Sequence, residues 1–161
     1  MFEVIKFPGW EGIHPLVVHF PIGLLAILPL ILLLSIVIKE QNKCFTNASL
    51  IILILGTLGT MFAVATGLAA MDVAKITEEA KEILEKHETT AAICRNLYMS
   101  FTVFYAIFVY YANKDIMKPS LKTTLQIVFI VYSILGIWFL INTGHYGARL
   151  VHEFGIHAPI K

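Results

Sequence analysis

Six histidines, His14, His19, His87, His145, His152 and His157, are the residues of this 161-residue chain best equipped for chemistry. A neutral imidazole offers a ring nitrogen to a metal near neutral pH, and several converging at one depth define a metal or haem site. Here they flank strongly apolar segments. Ionisable groups so placed are costly in a bilayer, and they usually face a bundle interior and carry function. His14 and His19 share the block HPLVVHFPIGLL. On a helix, five residues set them roughly 140° apart and about 7.5 Å apart along the axis. They are therefore poorly placed to hold one small ion together. They suit two different groups, or one ligand met from its rim and from its wall. The bland reading, two interfacial histidines against headgroups, stays open.

Four apolar runs must position these side chains: residues 15–38, 49–71, 89–112 and 123–142. Each has 20 to 24 residues, close to the roughly 20 that a 30 Å hydrocarbon core requires. The expected fold is an all-α membrane protein, one domain, built as an up-down bundle of four transmembrane helices. Pro15 suits a first helical turn, and the internal Pro29 is expected to kink the first helix. This topology places all six histidines at one end. His87 opens the third span and His145 follows the fourth, in NTGHYGARLVHEFG. If that helix continues, His152 shares the face of His145 two turns on, while His157 in the tail is expected to be solvated.

Two of the three connections, 39–48 and 113–122, are short and lie opposite the histidines. They hold Lys39, Lys43, Lys114, Lys118 and Lys122 against Glu40 and Asp115. Lysine density in short loops marks a cytoplasmic face, which puts the histidines on the periplasmic or exterior side of an inner membrane. The third connection contains KITEEAKEILEKHE, with Ile76, Ala80, Ile83 and Leu84 at helical spacing. It reads as a short amphipathic helix between the second and third spans, lying on the membrane surface or serving as a solvated linker.

Composition narrows the partners to lipid and other membrane components. The chain is 58% hydrophobic and 14% charged, with mean hydropathy +0.79; a soluble domain has about 25% charged residues. A net charge of +1 leaves no basic face for nucleic acid. The first apolar run is too long for a signal h-region and has no small-residue cleavage site behind it, so it is expected to be retained. Cys44 and Cys94 are too few for a disulfide framework and are not expected to pair. No C-x-x-C-H, Gly-rich phosphate loop, H-E-x-x-H or nucleophile elbow occurs in the sequence, which leaves covalent haem attachment and hydrolysis without support.

A haem held by two axial imidazoles takes them from different helices of a bundle. His19, His87 and His145 meet the depth requirement first, and His14 next; four such residues allow one or two haems b. Gly56, Thr60, Ala63, Gly67 and Ala70 trace a small-residue face on the second helix. It reads as close helix packing or as room for a flat porphyrin near Gly67. Arg95 lies eight residues after His87, about 12 Å along the axis. A guanidinium there needs a partner, either Asp72 or a haem propionate, whose carboxylate geometry it matches bidentately. The dense aromatics of the third and fourth helices read chiefly as lipid-facing or core packing, with a minority able to wall a cofactor or quinone pocket.

The block HPLVVHFPIGLL, the lone His87 opening a helix and the closing GHYGARLVHEFG together resemble a family of small four-helix bacterial membrane proteins labelled as a domain of unknown function. Its members open with HP-x-x-VHFPI and close with a Gly-rich GG-x-LV-type motif. The resemblance covers residues 13–155 and marks His14, Pro15, His19, Pro21, Gly67, His87, His145 and Gly147. It departs at the end, where Ala148 stands for a usual second glycine. His152 and Phe154 replace a usual tyrosine and histidine, so no role transfers to Phe154. Relatives fused to redox modules imply electron transfer. Three functions are thus expected in order: a b-type haem protein or haem subunit of a respiratory assembly working with quinol or partner subunits, a non-haem copper-binding protein, and a cofactor-free structural subunit.

Overall fold

A computed structural model describes residues 9–156. It contains four helices, α1 (His14–Val37), α2 (Asn42–Val73), α3 (Lys81–Asn113) and α4 (Pro119–His152), and no strand among the described residues. Each contains a stretch long and apolar enough to cross a bilayer. Proline opens both α1 and α4, where its missing N–H costs no hydrogen bond. α1 runs on as one helix through Pro21 and Pro29. The α1–α2 and α3–α4 hairpins make the most extensive contacts, and α2 on α3 and α1 on α4 close the bundle.

The exterior is the apolar side. Leu30, Ile51, Phe104, Val131, Ile134 and Ile141 are all exposed, a surface that lipid, not water, solvates. Inside, Tyr98, Phe101, Tyr105 and Phe108 of α3 pack with Phe129 of α4. Phe101 stacks on Phe129 with ring centroids 5.6 Å apart, and Tyr105 meets Phe129 edge-on at 5.0 Å. Such offset and T-shaped contacts are the favoured aromatic geometries. α2 presents an interior unlike the others: seven of its eight buried residues are Thr, Ser or Gly, the exception being Leu53. Its Ile51, Ile54, Leu55, Leu58 and Leu68 face outward. Small residues let helices approach closely where no hydrophobic force drives them together, and at Gly56 that space is filled by Leu25 of α1.

The helices overrun the apolar segments. α2, α3 and α4 have 32, 33 and 34 residues, so each is about 50 Å long at 1.5 Å per residue. At the histidine end, α3 begins six residues before His87 and α4 continues seven beyond His145. The amphipathic stretch is thus no separate helix lying on the bilayer. It forms a 3₁₀ turn, Glu78–Ala80, and the first turns of α3. Its Ala80 and Ile83 are buried against Leu150, with Tyr146 and Phe154 beside them, because the end of α4 offers an apolar partner closer than lipid. Arg149 grips Glu153 with two 2.8 Å bonds in this cap and holds that carboxyl below its ordinary range. At the other end Lys43 bonds Asp115 at 2.6 Å across the α2 and α3–α4 connections, likewise holding its carboxyl low. Both pairs are exposed and contribute little to stability. Cys44 is exposed and Cys94 buried, and both are free thiols.

Candidate functional site

His14 and His87 are the imidazoles that turn inward. Both are half-buried, and each begins the membrane portion of the first helix of a hairpin. Each rests on a glycine near the end of the second helix. A Cβ on Gly67 of α2 would lie 3.1 Å from His14 Cε1, 3.4 Å from Nδ1 and 3.6 Å from Nε2. A Cβ on Gly147 of α4 would lie 3.0 Å from His87 Cε1, 3.3 Å from Nδ1 and 3.9 Å from Nε2. The two hairpins therefore build the same arrangement twice. The room left at Gly67 is occupied by the His14 ring, so it is not an open slot for a porphyrin face.

Hydrogen bonding fixes the tautomer of each ring. His87 Nδ1 lies 2.9 Å from the Thr143 carbonyl. A carbonyl only accepts, so Nδ1 carries the proton and Nε2 the lone pair. His14 Nδ1 lies 3.1 Å from Thr66 Oγ1. The single Thr66 hydroxyl proton is directed to the Phe62 and Ala63 carbonyls, at 3.0 and 3.1 Å. Thr66 thus accepts from His14, which again leaves the lone pair on Nε2. His19 Nδ1 donates to the Pro15 carbonyl in the same way. This is the arrangement of metal-binding histidines, whose second ring nitrogen donates to an oxygen that sets tautomer and orientation.

The other expected ligands are not assembled with them. His19, His145 and His152 are exposed; His145 stands beside Tyr146 with ring centroids 5.7 Å apart. No group of three or more His, Cys, Asp or Glu capable of holding a metal ion occurs among the described residues. The spacing argument for His14 and His19 holds: 140° around α1, one side chain faces inward and the other outward. Arg95 is half-buried, yet it makes no ion pair with Asp72, which is exposed. Its Nε donates to Asn96 Oδ1 at 3.2 Å. Asp72 stands exposed at the end of α2, and the pairing expected between it and Arg95 did not become a contact. His157 lies outside the described residues. Thr66 and Thr143 escaped the sequence reading. Thr66 carried a signal in standing beside the motif residue Gly67, whereas a backbone carbonyl such as that of Thr143 leaves none.

Four apolar helices around a half-buried histidine pair define a multi-pass α-helical membrane protein. Residues 11–159 match the family model described as "Predicted membrane protein (DUF2231)", and the chain belongs to that family. No curated protein and no solved structure matches the chain.

Proposed function

We propose that this protein is a b-type haem membrane protein that passes electrons at its histidine-rich face, with His14 and His87 as the axial imidazoles. The observation that carries this is the duplicated geometry: two half-buried rings at the same end of the bundle, each seated on a glycine and each with Nδ1 bonded to oxygen. The donor set fits the group, because neutral imidazole nitrogens with free Nε2 lone pairs are what haem iron accepts. Bound there, haem supplies a one-electron ferric–ferrous couple. Thr66 and the Thr143 carbonyl hold the ligand rings, Gly67 and Gly147 admit them to the bundle interior, and Arg95 is the cation available to a propionate. A pair of ligands serves one haem, and the exposed His19 and His145 are left for contact with a redox partner subunit or quinol.

Pyridine haemochrome absorbance of the purified protein tests the reading. Haem b near one per chain, with low-spin bis-histidine bands on reduction, is the expected result. A colourless protein carrying copper overturns it in favour of copper binding, and a protein with neither is a structural subunit.

Thr66 supplies a finer test, because valine has its shape without the hydroxyl. Thr66→Val removes the oxygen that orients His14 and is expected to weaken haem binding about 10–100-fold, the usual effect of losing such a partner. Haem titration of the apoprotein measures it.

We also propose that the protein sits in a bacterial inner membrane with the histidine end periplasmic, on the strength of the lysines at the opposite end. Lys39, Lys43, Lys114 and Lys118 are exposed there. Reporter fusions are expected to place the 114–118 turn in the cytoplasm, and a periplasmic reporter at that turn overturns the orientation.

A further inference from the structure

A groove of about 830 Å³ runs between α3 and α4 at the end of the bundle opposite the histidines. Its floor is aromatic and buried: Phe101 and Phe108 of α3, and Phe129 of α4. Its walls face lipid, with Phe104 of α3 61% and Val128 of α4 51% exposed. A trough of this size falls within the roughly 300–1,000 Å³ that holds a small ligand. The Tyr132 hydroxyl, in the lining, is already bonded to Ser100 at 2.9 Å. The charged member of the lining is Lys118, at the end of the α3–α4 connection.

Among the described residues Lys118 is an exposed cation with no ion pair and no side-chain hydrogen bond. Its neighbours are engaged. Asp115 is bonded to Lys43 at 2.6 Å, and Lys114 donates to the Tyr110 hydroxyl. A lysine at a helix end lays its stem on apolar surface and lifts its ammonium to the headgroup level. From there the trough runs inward. Along α4 the lining extends from Leu121 to Tyr132, about 16 Å at 1.5 Å per residue. Along α3 it extends from Tyr111 to Phe101, about 15 Å by the same rise. One leaflet of a 30 Å hydrocarbon core is about 15 Å deep. A free cation at the headgroup level, followed by one leaflet's depth of apolar trough, is complementary to a phospholipid of net negative charge.

We propose that this groove is a selective site for an anionic phospholipid, with one acyl chain lying over Phe101, Phe108 and Phe129 and the phosphate at Lys118. Basic pockets between transmembrane helices bind acidic headgroups in this way. A second copy of the chain suits the groove less well. Sharing the membrane orientation, it would bring its own lysines to the same depth about a two-fold axis, with like charges opposed. A smaller groove of about 300 Å³ lies between α1 and α2, with Phe20 and Leu58 in its lining and no charged residue. It offers an acyl chain the same apolar contact but has nothing with which to choose a headgroup. The lipid site stands at the other end of the bundle from the histidine pair and does not depend on haem.

Tryptophan quenching by brominated phosphatidylcholine tests the site. The full chain, carrying Trp10→Phe and Trp138→Phe, receives Phe104→Trp as a reporter in the groove or Phe20→Trp in the smaller one. Each is reconstituted in bilayers of brominated phosphatidylcholine and unbrominated phosphatidylglycerol, at about pH 8, where histidine is neutral. Phosphatidylglycerol is expected to relieve quenching at Phe104→Trp with at least about fivefold preference, the effect of one lysine beside an anionic lipid. No preference is expected at Phe20→Trp, and Lys118→Gln should remove the one in the groove. Absence of preference at Phe104→Trp, the same preference at both reporters, or one undiminished by Lys118→Gln overturns the proposal. Native mass spectrometry of the unaltered chain, stripped of lipid and offered both lipids in equal amounts, is the second measurement. Retained phosphatidylglycerol is expected, and retention of neither lipid, or of both alike, overturns the site.

Discussion

His14→Ala and His87→Ala, made separately, are each expected to give protein that inserts and folds but loses the low-spin haem spectrum. Loss of one axial ligand changes spin state and potential directly. The outcome is interpretable because neither change strands a buried partner. Thr66 Oγ1 keeps its bonds to the Phe62 and Ala63 carbonyls without His14. The Thr143 carbonyl stands within α4, where the i+4 amide still donates to it after His87 is gone. The apoproteins should therefore retain wild-type helix content by circular dichroism. His19→Ala, His145→Ala and His152→Ala remove exposed rings and should leave the reduced bands in place. A bis-histidine spectrum surviving either inward substitution would reject the pair as ligands, and one lost in His19→Ala or His145→Ala would restore the ligand set read from the motif alone.

The bundle was legible because its signal is local: apolar runs of membrane length need no knowledge of packing. Legibility failed where a side chain's fate depends on which way its helix turns. His14 and His19 lie within one motif, and their separation around the helix was readable, but which of the two faces inward was not. That choice rests on Gly67, more than fifty residues away. The segment around Ile83 had the right amphipathic spacing, yet its partner is Leu150, beyond the reach of local pattern. Arg95 lies within α3 and is half-buried, while its pairing with Asp72 depended on rotation about two helices at once. On α2 the small-residue face was visible from Gly56 to Ala70, but its continuation into Thr46 and Ser49 was not. A polar stripe in the interior of a span is indistinguishable by composition from one at its surface.

Gly67→Val and Gly147→Val should cost haem affinity although neither residue can bind iron. A single Cβ at Gly147 would already stand 3.0 Å from His87 Cε1, and valine adds two methyl groups to it. The ring cannot slide aside freely, because doing so draws Nδ1 from the Thr143 carbonyl, 2.9 Å away. That bond is worth a net 0.5–1.5 kcal/mol, roughly, and overpacking of a tight contact costs about 1–3 kcal/mol. Together these correspond to roughly 10–1000-fold in binding, at 1.4 kcal/mol per factor of ten. Gly67→Val meets the same obstacle at His14, and the near-identity of the two contacts predicts losses of similar size. Gly144→Val is the control. It lies one turn before Gly147 on the same helix, yet a Cβ there meets nothing within 4 Å, so it carries the backbone consequences of the substitution without the clash. Haem titration of the three apoproteins, matched for helix content, separates the cases. Wild-type affinity in Gly147→Val would mean that the ring seated on Gly147 is not a ligand, and the duplicated His-on-Gly arrangement would then be packing between helices and nothing more.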